Sequence, residues 1–238
     1  MARKLTGPTQ SAAQAFRVED TTQQHTLGQR MNDGLGNEYV YVKTGGTALV
    51  PGKLYQAAAE VTDHQNLTPV AAAIGDTTVT VALGATAATA NQYAGGQLII
   101  TVTPGQGYSY QIKSHPAAAL STSVVLTLED PIEVALTTSS RCDLVPNPYN
   151  GVIVSPTTAS SGAIGAAVDN ITAASYGWLQ TKGACALLAD GTVTVGTSVV
   201  ASNGTAGAVE AATGAQQVVG FALSGIATTE YGAIFLTL

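Results

Sequence analysis

Apolar residues in this chain recur with period two or in short unbroken runs, and no stretch sustains a helical period. Glu38-Tyr39-Val40-Tyr41-Val42-Lys43 is β-branched and aromatic, a composition that suits a pleated, half-buried surface. Thr44-Gly45-Gly46-Thr47 turns, Ala48-Leu49-Val50 leads into Pro51-Gly52, and Lys53-Leu54-Tyr55-Gln56-Ala57 resumes a strand. Residues 62–149 read as a separate block. Its pattern predicts five strands, at 77–83, 97–102, 108–112, 123–128 and 132–136, with turn residues between them. Tyr108, Tyr110 and Ile112 share one face of the third. Residues 85–90 read as one short helix or a loop, and Pro146-Asn147-Pro148-Tyr149-Asn150-Gly151 is a hinge-like exit.

The C-terminal third repeats itself. Ile164-Gly165-Ala166-Ala167-Val168 runs on through Ile171 to Tyr176-Gly177-Trp178-Leu179. Val219-Gly220-Phe221-Ala222-Leu223 runs on through Ile226 to Tyr231-Gly232-Ala233-Ile234. Gly165 registers with Gly220, Ile171 with Ile226 and Tyr176 with Tyr231, without a gap. Each copy reads as strand, short polar connection, strand, and the pair is expected to form two walls of one small β-barrel or sandwich. Between the copies, Asp190-Gly191 is a hairpin signal if Ala184–Leu188 and Thr192–Gly196 pair. The final apolar run, 233–238, is expected to be paired inside a sheet, because an exposed apolar edge invites aggregation.

Residues 1–36 have no sustained period and too little apolar area to fold alone. They read as an extended arm that orders only by lying on something else, a sister subunit or a partner. The expected fold is therefore all-β: a small β-barrel or sandwich body, an inserted β subdomain and an extended N-terminal arm.

Composition changes this picture in one respect. Charged residues make up 10% of the 238, against about 25% in an ordinary soluble domain. Much of the surface is therefore expected to face other protein rather than water. Residues 1–53 carry six basic and four acidic side chains, and the remainder three and eleven. An acidic body argues against a general nucleic-acid binder, which needs clustered Lys and Arg. The mildly basic front suits an acidic protein surface. Met1 to Pro8 begins basic with no apolar run behind it, so no signal peptide is expected, and no run approaches the length of a membrane span. Cys142 and Cys185 lie far apart without a CxxC, which favours reduced, buried roles over a disulfide.

Candidate chemistry is sparse. His25, His64 and His115 lack metal-binding spacing and read as surface or loop residues. There is no nucleophile elbow, P-loop or dinucleotide fingerprint, so neither an enzyme nor a cofactor is expected. Glu129, Asp130 and Glu133 form a tight acidic cluster, suited to a glycosidase pair or Ca²⁺, or more simply a solvated strand end paired with Arg141. Tyr108 and Tyr110 are candidates for a subunit interface or for a receptor face that stacks on sugar rings.

The doubled pattern, Val-Gly-x-Ala-Leu followed by Ile and Tyr-Gly-Ala-Ile, resembles the capsid decoration (head cement) proteins of tailed bacteriophages. Asn37–Val42 with Leu49-Val50-Pro51-Gly52, and Ile164–Val168 with Gly177–Gly183, are similar to the same family. The resemblance covers residues 37–57 and 150–238, which would form a β-barrel-like decoration body. Residues 58–149 would be an inserted subdomain and residues 1–36 the arm. It implies a non-enzymatic homotrimer on the exterior of the virion capsid, made in the host cytoplasm. There it would bind major capsid protein and brace the shell against internal pressure, with no nucleic acid or membrane as partner. Arg3, Lys4, Arg17 and Arg30 are the expected arm contacts. A phage tail, baseplate or fibre component and a carbohydrate-binding adhesin module are the competing readings.

Overall fold

The computed structural model describes residues 17–238, and its chain divides into two compact units. One comprises the chain up to Ala59 together with Pro148–Leu238, and the other is Glu60–Asn147.

The first unit is built from β1 (Arg30–Asn32), β2 (Glu38–Thr44), β3 (Leu54–Gln56), and, after the inserted unit, β10 (Asn150–Val154), β11 (Ala163–Ala167), β12 (Tyr176–Leu188), β13 (Ser198–Ala201), β14 (Val209–Ala211), β15 (Val218–Ala222) and β16 (Tyr231–Thr237). Strands β2, β10, β3, β11 and the first half of β12 lie side by side in that order. The pairing of β12 back onto β2, Trp178 opposite Tyr41, closes them into a barrel. Val40, Val42, Leu49, Tyr55, Ile171 and Leu179 fill its interior. Alternation explains the strand that opens it: Val40 and Val42 point in, while Tyr39 and Tyr41 point out into a separate aromatic cluster.

Strand β12 does not stop at the end of this barrel. It runs for 13 residues, and its second half pairs with β16, Ala186 opposite Ala233. From there β16, β15, β13 and β14 follow in order, and a parallel bridge from Val209 back to Ala189 completes a second ring. Leu187, Val193, Val199, Ile226 and Ile234 fill it.

The second ring repeats the first station by station. Gly165 faces Tyr55 as Gly220 faces Val199, and Ala166 faces Gln180 as Phe221 faces Phe235. Leu49 bridges Ile171 as Val193 bridges Ile226. Val152 runs parallel to Thr44 as Val209 does to Ala189. The two matching hairpins therefore sit in separate barrels, not as walls of one. The expectation failed because the strand opened by Tyr176-Gly177 does not end within its own hairpin but runs through Thr181-Lys182-Gly183 and carries β12 from one barrel to the next. Asp190-Gly191 likewise does not make a hairpin, since Val193 crosses to Ile226 instead of pairing with β12.

The described part of the arm, residues 17–36, lies on its own barrel. β1 pairs with the first half of β2, Met31 opposite Tyr39. Gln29 accepts from the Tyr41 backbone and Asp20 bridges Tyr176. Leu27 and Met31 cover Tyr39, Tyr41 and Trp178. The ordering surface for this segment is thus the chain's own body. Residues 1–16, including Arg3 and Lys4, lie outside the described residues.

The inserted unit contains β4 (Thr68–Pro69), β5 (Thr78–Ala82), β6 (Gln97–Val102), β7 (Ser109–Ser114), β8 (Ser123–Leu128) and β9 (Arg141–Val145), ordered β4-β5-β8-β7-β6-β9. A bridge between Leu67 and Cys142 joins the two ends of the sheet, which encloses Val79, Val81, Leu98, Ile112, Leu126 and Leu144. Residues 132–136 are not a strand. Ile132 and Leu136 reach this core singly, from a segment tied by isolated bonds to Asp76, Gly75 and Ala72, and β9 takes the place beside β6. Residues 85–90 are loop, not helix.

Candidate functional site

The two barrels present matching outward faces with different side chains. On the first, Tyr39, Tyr41, Trp178, Val168 and Tyr176 form an aromatic layer beneath the docked segment. The Tyr41 hydroxyl donates to Asp20 at 2.9 Å and its ring lies edge-on to His25 at 5.0 Å. Burial pushes the Tyr41 phenol up to about 12. Thr172 donates to Glu19 through both its backbone N–H and its hydroxyl, and that hydroxyl bond is the main cause holding the Glu19 carboxyl below its usual value.

On the second barrel the corresponding stations are Ala184, Ala186, Ala233, Leu223 and Tyr231. All five are exposed, Leu223 at 42% and Tyr231 at 57%. Phe221 and Phe235 stack beside them with ring centroids 5.2 Å apart, and Phe221 is 38% exposed where its counterpart Ala166 is fully buried. Three alanines thus replace two tyrosines and a tryptophan, leaving a depression bordered by phenylalanine and leucine. A groove of about 280 Å³ runs by the open edge, lined by Ala184, Cys185, Ala186, Tyr39, Gln180 and Arg17 among others. The backbone of Ala186 points away from β16, as that of Tyr41 points away from β12 toward Gly28 and Gln29. Among the described residues no main-chain partner meets Ala186 on that side.

The inserted unit places Tyr108 and Tyr110 in parallel at 6.3 Å. Tyr108 is 39% exposed, but Tyr110 is buried, its hydroxyl accepting from the Glu133 N–H at 3.2 Å. The expected shared face therefore holds for Tyr110 and Ile112, whereas Tyr108, just before β7 begins, lies outside the core. Tyr108, Ser109, Tyr110, Asp130, Pro131 and Glu133 line a recess of about 270 Å³. Glu129 pairs with Lys113 at 3.5 Å, and Arg141, its expected partner, donates to the carbonyls of Thr138 and Ser140. No group of three metal-ligating side chains occurs among the described residues.

Two of the histidines read as surface or loop residues are buried: His115 lies in a loop and His64 in a short 3-10 turn. His64 Nε2 meets the Thr86 carbonyl, so it carries the proton, and Nδ1 accepts from the Tyr93 hydroxyl. His115 Nε2 accepts from the Tyr93 backbone N–H, and its Nδ1 donates to Pro116. These bonds tie three loop segments together inside the unit. Sequence reasoning missed them because neither histidine lies in an alternating strand. Cys142 and Cys185 are free thiols in different units, each pushed up to about 12 by burial.

Arg17 and Arg30 each meet a carboxylate of the body, Asp169 at 3.4 Å and Glu38 at 3.9 Å, and both stay half exposed. A further cavity of about 350 Å³ in the first unit is lined by Gln56, Ser155, Ser202 and Gln217 among others, and the Ser155 hydroxyl is buried there without a partner.

No protein family, curated protein or solved structure was found to match this chain.

Proposed function

We propose that this chain is a non-enzymatic structural protein of a tailed-phage virion that binds the outside of the capsid and cements major capsid protein subunits. The observation that carries this reading is the docked segment. Residues 20–32 have no core of their own and gain one only by lying along a finished barrel, through a two-way backbone bond at Tyr41 and the burial of Leu27 and Met31. A chain that folds its front against completed protein is suited to gripping a lattice, whose binding energy becomes available only after assembly. The residues that carry the resemblance support the reading too, since Val40, Val42, Leu49, Leu179, Ile226 and Ile234 are the core stations of the two barrels.

Arg17 and Arg30 bring carboxylate partners with them, so the grip is assigned first to Arg3 and Lys4. The test is sedimentation with shells assembled from the major capsid protein that this reading requires as the partner. The full chain is expected to pellet with shells but not with unassembled subunits, and to raise the temperature at which shells rupture. Arg3→Glu with Lys4→Glu is expected to weaken binding at least tenfold. Failure to pellet, or equal binding to free subunits, would overturn the reading.

One observation favours a second reading, a carbohydrate-binding module. The exposed Tyr108 ring beside Asp130 and Glu133 pairs a stacking face with acceptors, the combination sugars use. Glycan-array binding that disappears in Tyr108→Ala would support it, and an array without signal would remove it.

A further inference from the structure

We propose that the cavity lined by Gln56, Ser155, Ser202 and Gln217 binds an uncharged ligand through its amide groups, as a peptide segment of small residues or a simple carboxamide carries them. Neither the capsid reading nor the sugar reading enters into it.

The cavity has a buried floor and an exposed rim. Gln56, Ser155 and Ser202 are 2%, 3% and 3% exposed, while Thr157, Ser161 and Gln216 around them face solvent. Among the described residues nothing bonds the Ser155 hydroxyl, and a buried polar group left so costs free energy until a partner arrives. The space of about 350 Å³ is roughly ten times the 30 Å³ or so that one water occupies, far more than satisfying one hydroxyl takes. Its walls are fixed. The Gln56 amide nitrogen donates to the Ser160 hydroxyl at 2.8 Å. Ser202 donates to Asp190 at 2.6 Å and accepts from the Gly204 and Thr205 N–H groups at 3.0 Å.

The second barrel shows that the fold itself does not call for these polar groups. Gln56 faces Ile153 and Ala163, and at the same station Val200 faces Glu210 and Val218. Ser155 donates its N–H to the Leu54 carbonyl as Ala212 donates to that of Ser198. An amide and a hydroxyl thus stand where the other ring has valine and alanine. Polar side chains buried without a structural need point to a ligand that pairs with them.

The lining sets the chemistry of that ligand. Among the described lining residues none is charged or aromatic. A charged ligand would therefore be buried without a counter-ion, and a sugar ring would find no stacking face of the kind Tyr108 offers. Amides and hydroxyls stand instead over small apolar walls, with alanines at 163, 201 and 215. Gln217 shows what an amide takes here. Its oxygen accepts from the Ala163 N–H at 2.8 Å and its nitrogen donates to the Ala163 carbonyl at 3.4 Å, so it grips one residue's backbone in both directions. Gln56 brings a second amide to the same cavity, and Ser155 a hydroxyl that can donate or accept.

The test titrates the isotope-labelled full chain with the blocked peptide acetyl-Ala-Gly-Ala-amide, with acetamide and with glucose, following amide NMR signals. The peptide is expected to give saturable shifts at the Gln56 side chain and at backbone amides of 155–163 and 201–203. Acetamide that binds as tightly as the peptide makes a simple carboxamide the ligand, and acetamide that binds about tenfold more weakly makes it a peptide segment. Gln56→Val and Ser155→Ala install the residues of the other barrel. Each is expected to weaken peptide binding about tenfold while the melting temperature does not fall, whereas a purely structural role would lower the melting temperature and leave affinity unchanged. Tyr108→Ala is expected to leave peptide binding as it is. Three results would each overturn the proposal: no saturable shift with either amide, the same signals moved by glucose, or wild-type affinity in both cavity variants.

Discussion

A methyl group added at Gly220 would lie 2.1 Å from the Phe235 carbonyl oxygen, and one at Gly165 would lie 2.7 Å from that of Gln180. Both obstacles are backbone of the neighbouring strand, so neither can swing away. Gly220→Ala is expected to lower stability by about 1–3 kcal/mol, the usual cost of overpacking a well-filled site, and Gly165→Ala by less, as read by urea unfolding. These two glycines were legible in the sequence because they align in the doubled stretch, and the structure supplies the reason: each is where one strand passes closest to the next. The histidines were not legible. His64 and His115 are held by bonds to Tyr93, Thr86 and Pro116 from loops with no periodic signal, so only the folded chain shows them buried.

Strand β12 is the element that joins the two barrels. Its first half presents Leu179 to one core and its second half presents Leu187 to the other. Gly183 marks the crossing, with φ at +96° and no room for a Cβ against Asn37. Because one continuous strand serves both cores, the barrels are expected to unfold together. Leu179→Ala in the first and Ile234→Ala in the second should each cost about 2–5 kcal/mol and shift the same thermal transition. Two separable transitions, each sensitive to only one substitution, would contradict this. The length of β12 was hidden in the sequence because the polar Thr181-Lys182 and Gly183 interrupt its apolar residues, so Tyr176–Leu179 and Ala184–Leu188 read as two runs. In the fold Lys182 instead pairs with Glu38 at 3.2 Å across the strands. Single strands with clean alternation, such as those at 97–102 and 123–128, were fully legible, since there the pattern and the burial coincide.

At the scale of the molecule, the repeat explains where the inserted unit attaches. Strands β13 and β14 of the second barrel are joined by the short turn 202–208, whereas their counterparts β3 and β10 are separated by the whole of Glu60–Asn147. The insertion thus occupies a surface turn, a position where added length costs little. Replacing residues 58–149 with Ser-Asn-Gly-Thr-Ala-Gly, taken from 202–207, is expected to leave a folded body with a cooperative melt. An unfolded product would show that the body depends on the insert. All-β character and the separate central block were both visible in the pattern of short strands and turns. The second barrel was not, because a duplicated hairpin has the same sequence signature whether the copies share one core or build two.

The shared strand also sets how the body carries load. Force applied between the two barrels passes along the covalent backbone of β12 and is resisted in shear by its register with β2 on one side of Gly183 and with β16 on the other. No pliable joint lies in that path, so stretching the body strains many hydrogen bonds at once instead of opening them one by one.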